Sequence, residues 1–183
     1  MKFESVQVKL KNNEIVEIRE AEIGDAAELL VTKKRYIGES EFIPLTKEEF
    51  SSTEETEKSW IQSYIDNENS LLLVATHQKQ IIGNMDITGA SRNMLKHTAM
   101  VGIGIVEEWT NIGLGTELFR CGLHWAKNNQ ILELLWLNTF ATNKGGLRLY
   151  EKFGFVETGR LEHFIKMPNG KYVVNISMAL KLR

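Results

Sequence analysis

Polar and apolar residues alternate over 3–10 and again over 14–21, on either side of Lys11-Asn12-Asn13. A period of two belongs to a half-buried strand, and the paired asparagines suit a turn, so this stretch predicts strand, turn, strand. Over 24–37 (GDAAELLVTKKRYI) the period lengthens to that of a helix, with Asp25 placed to cap it. Residues 38–52 lose the period and read as a loop with room for a short helix. Ser52 and Glu55 have capping-box spacing, and Trp60, Ile61, Tyr64 and Ile65 form an apolar stripe, which predicts a helix over 53–67. LLLVATH (71–77) and QIIGNMDITGA (80–90) read as a hairpin, 91–96 as a loop, and 97–108 as a strand with two interior glycines. A helical period returns over 113–129, where Leu114, Leu118, Gly122 and Trp125 share a face. A short buried strand at 131–138, a helix at 143–153, and strands at 155–167 and 171–182 around Met167-Pro168-Asn169-Gly170 complete the pattern.

This order predicts an α/β (α+β) fold: a mixed, mostly antiparallel sheet with helices on its faces. There is no repeat and no break in composition, and 183 residues suit one core, so a single domain over 1–183 is expected. Hydrophobic residues at 43% supply enough apolar surface to exclude disorder as the dominant state. A net charge of −2 disfavours a nucleic-acid binder. The one cysteine, Cys121, excludes an internal disulfide and favours a reducing compartment. His77, His97, His124 and His163 are scattered, so no metal is expected. No apolar run reaches membrane length and the first residues lack a signal pattern, so a cytoplasmic protein with no membrane partner is expected.

Two stretches carry chemistry. In the first, Gly102-Ile-Gly-Ile-Val-Glu-Glu-Trp-Thr-Asn-Ile-Gly-Leu-Gly-Thr116, a strand runs through a glycine turn into a helix. The free N–H groups and dipole of a helix N-terminus suit a pyrophosphate, and Gly113 and Gly115 would let it approach. By itself the turn is equally a plain strand-to-helix connection; it matches neither the Walker pattern nor the dinucleotide fingerprint. In the second, Asn138 to Phe155, Tyr150 lies two helical turns beyond Asn143, so both would face one cleft. A capped helix with a packed tyrosine explains that stretch as well. Cys121 reads as a small apolar core residue, and Trp60, Trp109, Trp125 and Trp136 as core and cleft wall.

Together the two stretches resemble the GNAT superfamily of acyl-CoA N-acyltransferases, over roughly residues 15–180 and most strongly over 100–155. Gly113 and Gly115 fit the family's Arg/Gln-x-x-Gly-x-Gly/Ala motif. Asn143, Leu149, Tyr150, Glu151, Lys152, Gly154 and Phe155 fit its later motif. Thr110, Asn111 and Gly146 depart from the usual residues. The resemblance implies about seven strands and four helices, with a V-shaped splay between the strands at 100–107 and 131–138. It implies an acetyl-CoA-dependent N-acetyltransferase acting by direct attack in a ternary complex, on a small-molecule or protein amine. The alternative is a non-catalytic module that binds acyl-CoA as a sensor. The implied cofactor contacts are Ile105, Val106, Asn111, Ile112, Gly113, Leu114, Gly115, Thr116, Asn138 and Asn143, with a backbone N–H near Val106 polarising the thioester carbonyl. Tyr150 is the implied general acid. The base is left open among Glu107, Asp86, Glu39 and His163, with Glu107 and Asp86 placed first. The strand at 171–182 offers an edge for a homodimer.

Overall fold

The computed structural model describes residues 2–183. These form one sheet of eight strands, as many as the periodic pattern predicts and one more than the resemblance implies: β1 (Val6–Lys9), β2 (Ile15–Glu20), β3 (Leu71–His77), β4 (Gln80–Gly89), β5 (Thr98–Ile105), β6 (Leu134–Phe140), β7 (Val156–Lys166) and β8 (Tyr172–Lys181). Their spatial order is β1-β2-β3-β4-β5-β6-β8-β7. Every neighbouring pair is antiparallel except β5 and β6. The helices are α1 (Ala26–Glu39), α2 (Glu54–Ile65), α3 (Leu114–Asn128) and α4 (Lys144–Lys152).

The helices divide between the two faces. The Tyr36 ring of α1 lies over Gly104, so close that a Cβ there would stand 2.3 Å from Tyr36 Cζ. On the opposite face Gly122 of α3 meets Met85, whose Sδ would lie 2.9 Å from an added Cβ. The α3 helix turns Leu114, Leu118, Phe119, Leu123, Trp125 and Ala126 into the core. It joins α4 through Phe119, whose ring sits 5.4 Å from Tyr150 and 5.6 Å from Phe153.

Three local expectations change. Asp25 stands at the α1 N-cap but does not cap with its side chain. Its carboxylate instead forms a two-pronged ion pair with Arg19 and accepts from Glu22 N (2.7 Å). The α2 cap sits one residue later than the Ser52–Glu55 spacing suggests. Thr53 and Thr56 cap each other, and Ser52 Oγ donates to Glu57 Oε1 (2.6 Å). The buried Glu57 carboxylate also takes Lys33, whose ammonium lies 3.9 Å from the Trp60 ring, so the cap region doubles as the clasp between α1 and α2. Finally, β8 is no edge. It lies between β6 and β7, and the sheet's edges are β1 and β7. Pairing of 171–182 between subunits is thereby removed as a route to a dimer.

Candidate active site

The expected splay is present. Strands β5 and β6 pair only at Thr98–Leu134, Ala99–Leu135 and Met100–Trp136, then part. Ala90 N donates to Thr98 O and Val106 N to Ile82 O, each at 3.1 Å, so the even-numbered residues of this segment bond towards β4. Alternate residues of an antiparallel strand turn their main-chain groups the other way. The N–H and C=O of Ile103 and Ile105 therefore face the wedge that β6 has vacated. The Val106 N–H does not: it is held by Ile82, so the amides open to the wedge are those of Ile103 and Ile105.

The wedge opens into a cavity of about 1060 Å³. One wall is the turn from β5 into α3. Asn111 has φ 61° and Gly113 φ 101°, two left-handed residues separated only by Ile112. Such a sequence curls successive N–H groups inward, as anion-binding turns do. Asn tolerates that conformation better than other side-chain-bearing residues, which accounts for its presence where the family commonly has Gly or Arg. The space over Gly113 is open: a Cβ there would find nothing nearer than the Lys11 stem, at 3.8 Å. The free N–H groups of the first α3 turn, at Leu114, Gly115 and Thr116, border this seat. The Leu114 side chain itself is fully buried, so it contributes backbone only. A pyrophosphate fits this turn, and an extended arm fits the wedge. Among the described residues no group of three or more His, Cys, Asp or Glu is placed to hold a metal.

Tyr150 and Asn143 do face one cleft, linked through Thr139. Asn143 Nδ2 donates to Thr139 Oγ1 (3.2 Å), and the Thr139 side chain lies beside the Tyr150 hydroxyl. Burial pushes the phenol up to about 12, with the neighbouring Thr139 hydroxyl drawing it back in part. It is therefore fully protonated at neutral pH, yet a weaker acid than a free phenol. Asn143 is less available than expected. Its Oδ1 caps α4 by accepting from Gly146 N (2.9 Å). Gly146 belongs to that cap, because a Cβ there would stand 2.5 Å from Asn143 Nδ2. The Asn143 amide thus positions Thr139 and the helix, and its second Nδ2 hydrogen is left for a ligand in the cavity that Asn143 lines. Asn138 lines the cavity with Oδ1 held by Ser177 Oγ (2.7 Å) and Asn175 Nδ2 (3.1 Å), leaving its Nδ2 for a ligand.

The acidic candidates separate by position. Glu107 follows β5 at the glycine-turn end of the cavity and is exposed. Its N–H is held by Glu39 Oε2 (2.7 Å), while Glu39 Oε1 takes Arg35. That pair of contacts fastens the end of α1 to the turn after β5, which is a structural task. His163 sits on the β7–β8 hairpin, stacked on Tyr172 at 5.1 Å, away from the wedge. Asp86 is different. It stands on β4 opposite Gly102, and its Oδ1 would lie 2.6 Å from a Cβ on that residue. Gly102, which lines the wedge, thus makes room for the carboxylate. Thr88 Oγ1 donates to Asp86 Oδ2 at 3.2 Å, and Tyr64 OH approaches the same oxygen at 3.5 Å. Burial raises the Asp86 pKa, opposed by the Thr88 bond, by Lys33 and by Tyr64. A carboxyl with a raised pKa beside a cleft is the form a proton acceptor takes.

The sequence alone did not point to Tyr36, Tyr64 or Lys11. The first two read as helix-stripe residues and the third as a turn residue. Only the sheet's register sets the tyrosines against Gly104 and Asp86, and only the folded hairpin brings Lys11 to the phosphate turn. Cys121 is buried, and burial pushes its thiol pKa up, as a core residue requires.

Residues 39–155, more than half of the chain, match the family model described as Acetyltransferase (GNAT) family. Over 120 residues the chain is 27% identical to an L-amino acid N-acetyltransferase, AaaT, of Escherichia coli, covering 66% of this chain and 74% of that protein. A solved acetyltransferase of the GNAT family from Streptococcus pneumoniae superposes with a TM-score of 0.87 at 30% identity, over 91% of this chain and 98% of that one. The fold is shared as well by yncA of Salmonella typhimurium, solved with its cofactor acetyl-CoA (TM-score 0.80, 16% identity, 92% and 94% coverage). The splayed β5–β6 pair, the glycine turn and the length of the family match lead to one conclusion: the chain belongs to the GNAT family of acetyltransferases.

Proposed function

We propose that this protein transfers an acetyl group from acetyl-CoA to a primary amine by direct attack, both substrates being held at once in the β5–β6 wedge. The observation that carries the reading is the convergence, on one cavity, of the anion-seating turn, the unpaired main-chain groups of Ile103 and Ile105, and the protonated Tyr150. Acetyl-CoA would supply an activated acyl thioester. The turn over 111–116 would hold its pyrophosphate, and Ile103, Ile105 and Asn138 its arm. An N–H of Ile103 or Ile105, fixed in direction by the β4 ladder, would donate to the thioester carbonyl oxygen. Asp86 would accept a proton from the amine, because only a neutral amine is nucleophilic. Tyr150 would give its proton to the departing sulfur.

The last step has a measurable demand. A phenol at about 12 is a weaker acid than a thiol at about 8.5, so the transfer is uphill by roughly 5 kcal/mol in the ligand-free cleft. Burying the thiolate beside it raises the thiol pKa too and narrows that gap. The amine is undetermined; the name of the E. coli relative makes amino acids the first acceptors to try.

The test is thermal shift followed by turnover. Acetyl-CoA or CoA at one hundred times its Kd should stabilise by about 2.7 kcal/mol. For a chain of this size that raises Tm by roughly 5–10 °C. ATP and NAD should not. A shift with ATP or NAD and none with CoA refutes the reading. A CoA-specific shift with no thiol release across an amine panel leaves the sensor alternative standing instead.

A further inference from the structure

We infer that Lys11, on the turn between β1 and β2, supplies the side-chain cation for the cofactor's pyrophosphate that the phosphate turn itself lacks. The inference rests on the acetyl-CoA reading above.

The turn after β5 has no basic residue between Glu107 and Glu117. Thr110, where the family has Arg or Gln, is not a substitute. Its hydroxyl donates back to Glu107 O (2.8 Å), closing the short helical turn that precedes the cradle. The backbone seat over Gly113 would thus face two phosphate charges with N–H groups and a helix dipole alone. The same seat is bordered by Lys11. Its Cγ and Cε lie 3.8 and 3.9 Å from where a Cβ on Gly113 would stand, so the lysine stem crosses the open space above that glycine. Lys11 lines the wedge cavity, whose other basic residues, Arg148 and Lys152, stand on α4.

The placement is held from several sides. Lys11 N donates to Ile112 O (3.0 Å), clipping the hairpin turn to the phosphate turn between its two left-handed residues. The hairpin turn is internally closed by Leu10 N to Glu14 O (2.8 Å), Asn13 N to Leu10 O (3.0 Å) and Glu14 N to Asn12 Oδ1 (3.2 Å). A second strut runs from Glu14 through His77 (2.8 Å) to the Trp109 ring, 4.7 Å from His77, on the segment leading into the cradle. Among the described residues the ion pairs around this turn, His77 with Glu14 and Arg35 with Glu108, leave Lys11 out. A rigid turn that holds an uncommitted ammonium stem over an anion seat is the arrangement an anion needs, and it costs little side-chain ordering on binding.

The experiment is calorimetric binding of CoA, 3′-dephospho-CoA and acetyl-pantetheine to wild type, Lys11→Ala and Lys11→Arg, at low and high salt. Melting without ligand should be nearly unchanged, since the hairpin is clipped by the Lys11 backbone and not by its side chain. Lys11→Ala should weaken CoA and 3′-dephospho-CoA alike, by about tenfold at low salt and less at high salt. Acetyl-pantetheine should bind all three proteins equally, and Lys11→Arg should retain most of the CoA affinity. An unchanged CoA Kd in a folded Lys11→Ala overturns the inference. So does a loss confined to CoA and absent with 3′-dephospho-CoA, which would move the lysine to the other phosphate. A wild-type chain that binds no CoA overturns the acetyl-CoA reading itself, and this inference with it.

Discussion

Replacing Tyr150 by Phe removes a single oxygen from the proposed proton donor. The ring is buried among Phe119 and Phe155, with centroids 5.4 and 6.3 Å away, and those contacts survive. What is lost is the hydroxyl's polar contact with Thr139, which keeps its bond from Asn143. Even a full neutral hydrogen bond is worth only about 1 kcal/mol. The variant should therefore melt only about 2–4 °C lower. Acetyl-CoA binding should change less than threefold, while turnover falls by about 10²–10⁴, the usual worth of a positioned acid. Alkaline pH adds a second reading. The folded pKa, about 12, lies above the unfolded value of roughly 10, so the contribution of Tyr150 to stability is complete below pH 10. It is lost as pH rises through 12, a change of roughly 3 kcal/mol that the Tyr150→Phe variant would not share. Wild-type turnover should accordingly show no alkaline fall from Tyr150 below about pH 11. Turnover in the variant within threefold of wild type, with binding intact, would refute the proton-donor role.

Two further outcomes follow from the same geometry. Asp86→Asn should abolish most turnover and the acid limb of the pH–rate profile, yet raise Tm at pH 7. The folded pKa is raised, so this contribution to stability is fully present below the unfolded value and is lost as pH climbs through the folded one, a loss the amide does not share. Calorimetry with a pH–rate series checks both, and a lower Tm with unchanged rate would exclude Asp86. Gly113→Val should melt earlier, because φ of 101° costs a β-branched residue about 1–2 kcal/mol or more, although no neighbour obstructs it. Its Cβ would also stand in the phosphate seat, so CoA affinity should drop at least tenfold by calorimetry; undiminished affinity would place the phosphates elsewhere.

The period of the hydrophobic pattern determined the order of strands and helices, because burying one face of each element is a local requirement that each segment states for itself. It also determined the turn at Gly113 and the cap at Asn143, where only certain residues tolerate the backbone. The interior place of β8 was not a local matter; sheet order depends on which distant edges meet. The bonding parity of β5 is likewise a property of its pairing with β4. It turns the N–H groups of Ile103 and Ile105, and not that of Val106, towards the wedge. The spacing that pointed to Asn143 could not show that its amide also caps α4 and holds Thr139. Glu107 and Asp86 look alike along the chain, and only tertiary structure distinguishes an exposed carboxylate at the glycine-turn end from one desolvated beside Gly102. Lys11 lies about one hundred residues from Gly113 in sequence and joins it because a hairpin turn donates one N–H to Ile112. Local chemistry chose the elements; the register and contacts between them, which no single segment encodes, decided which atoms face the cleft.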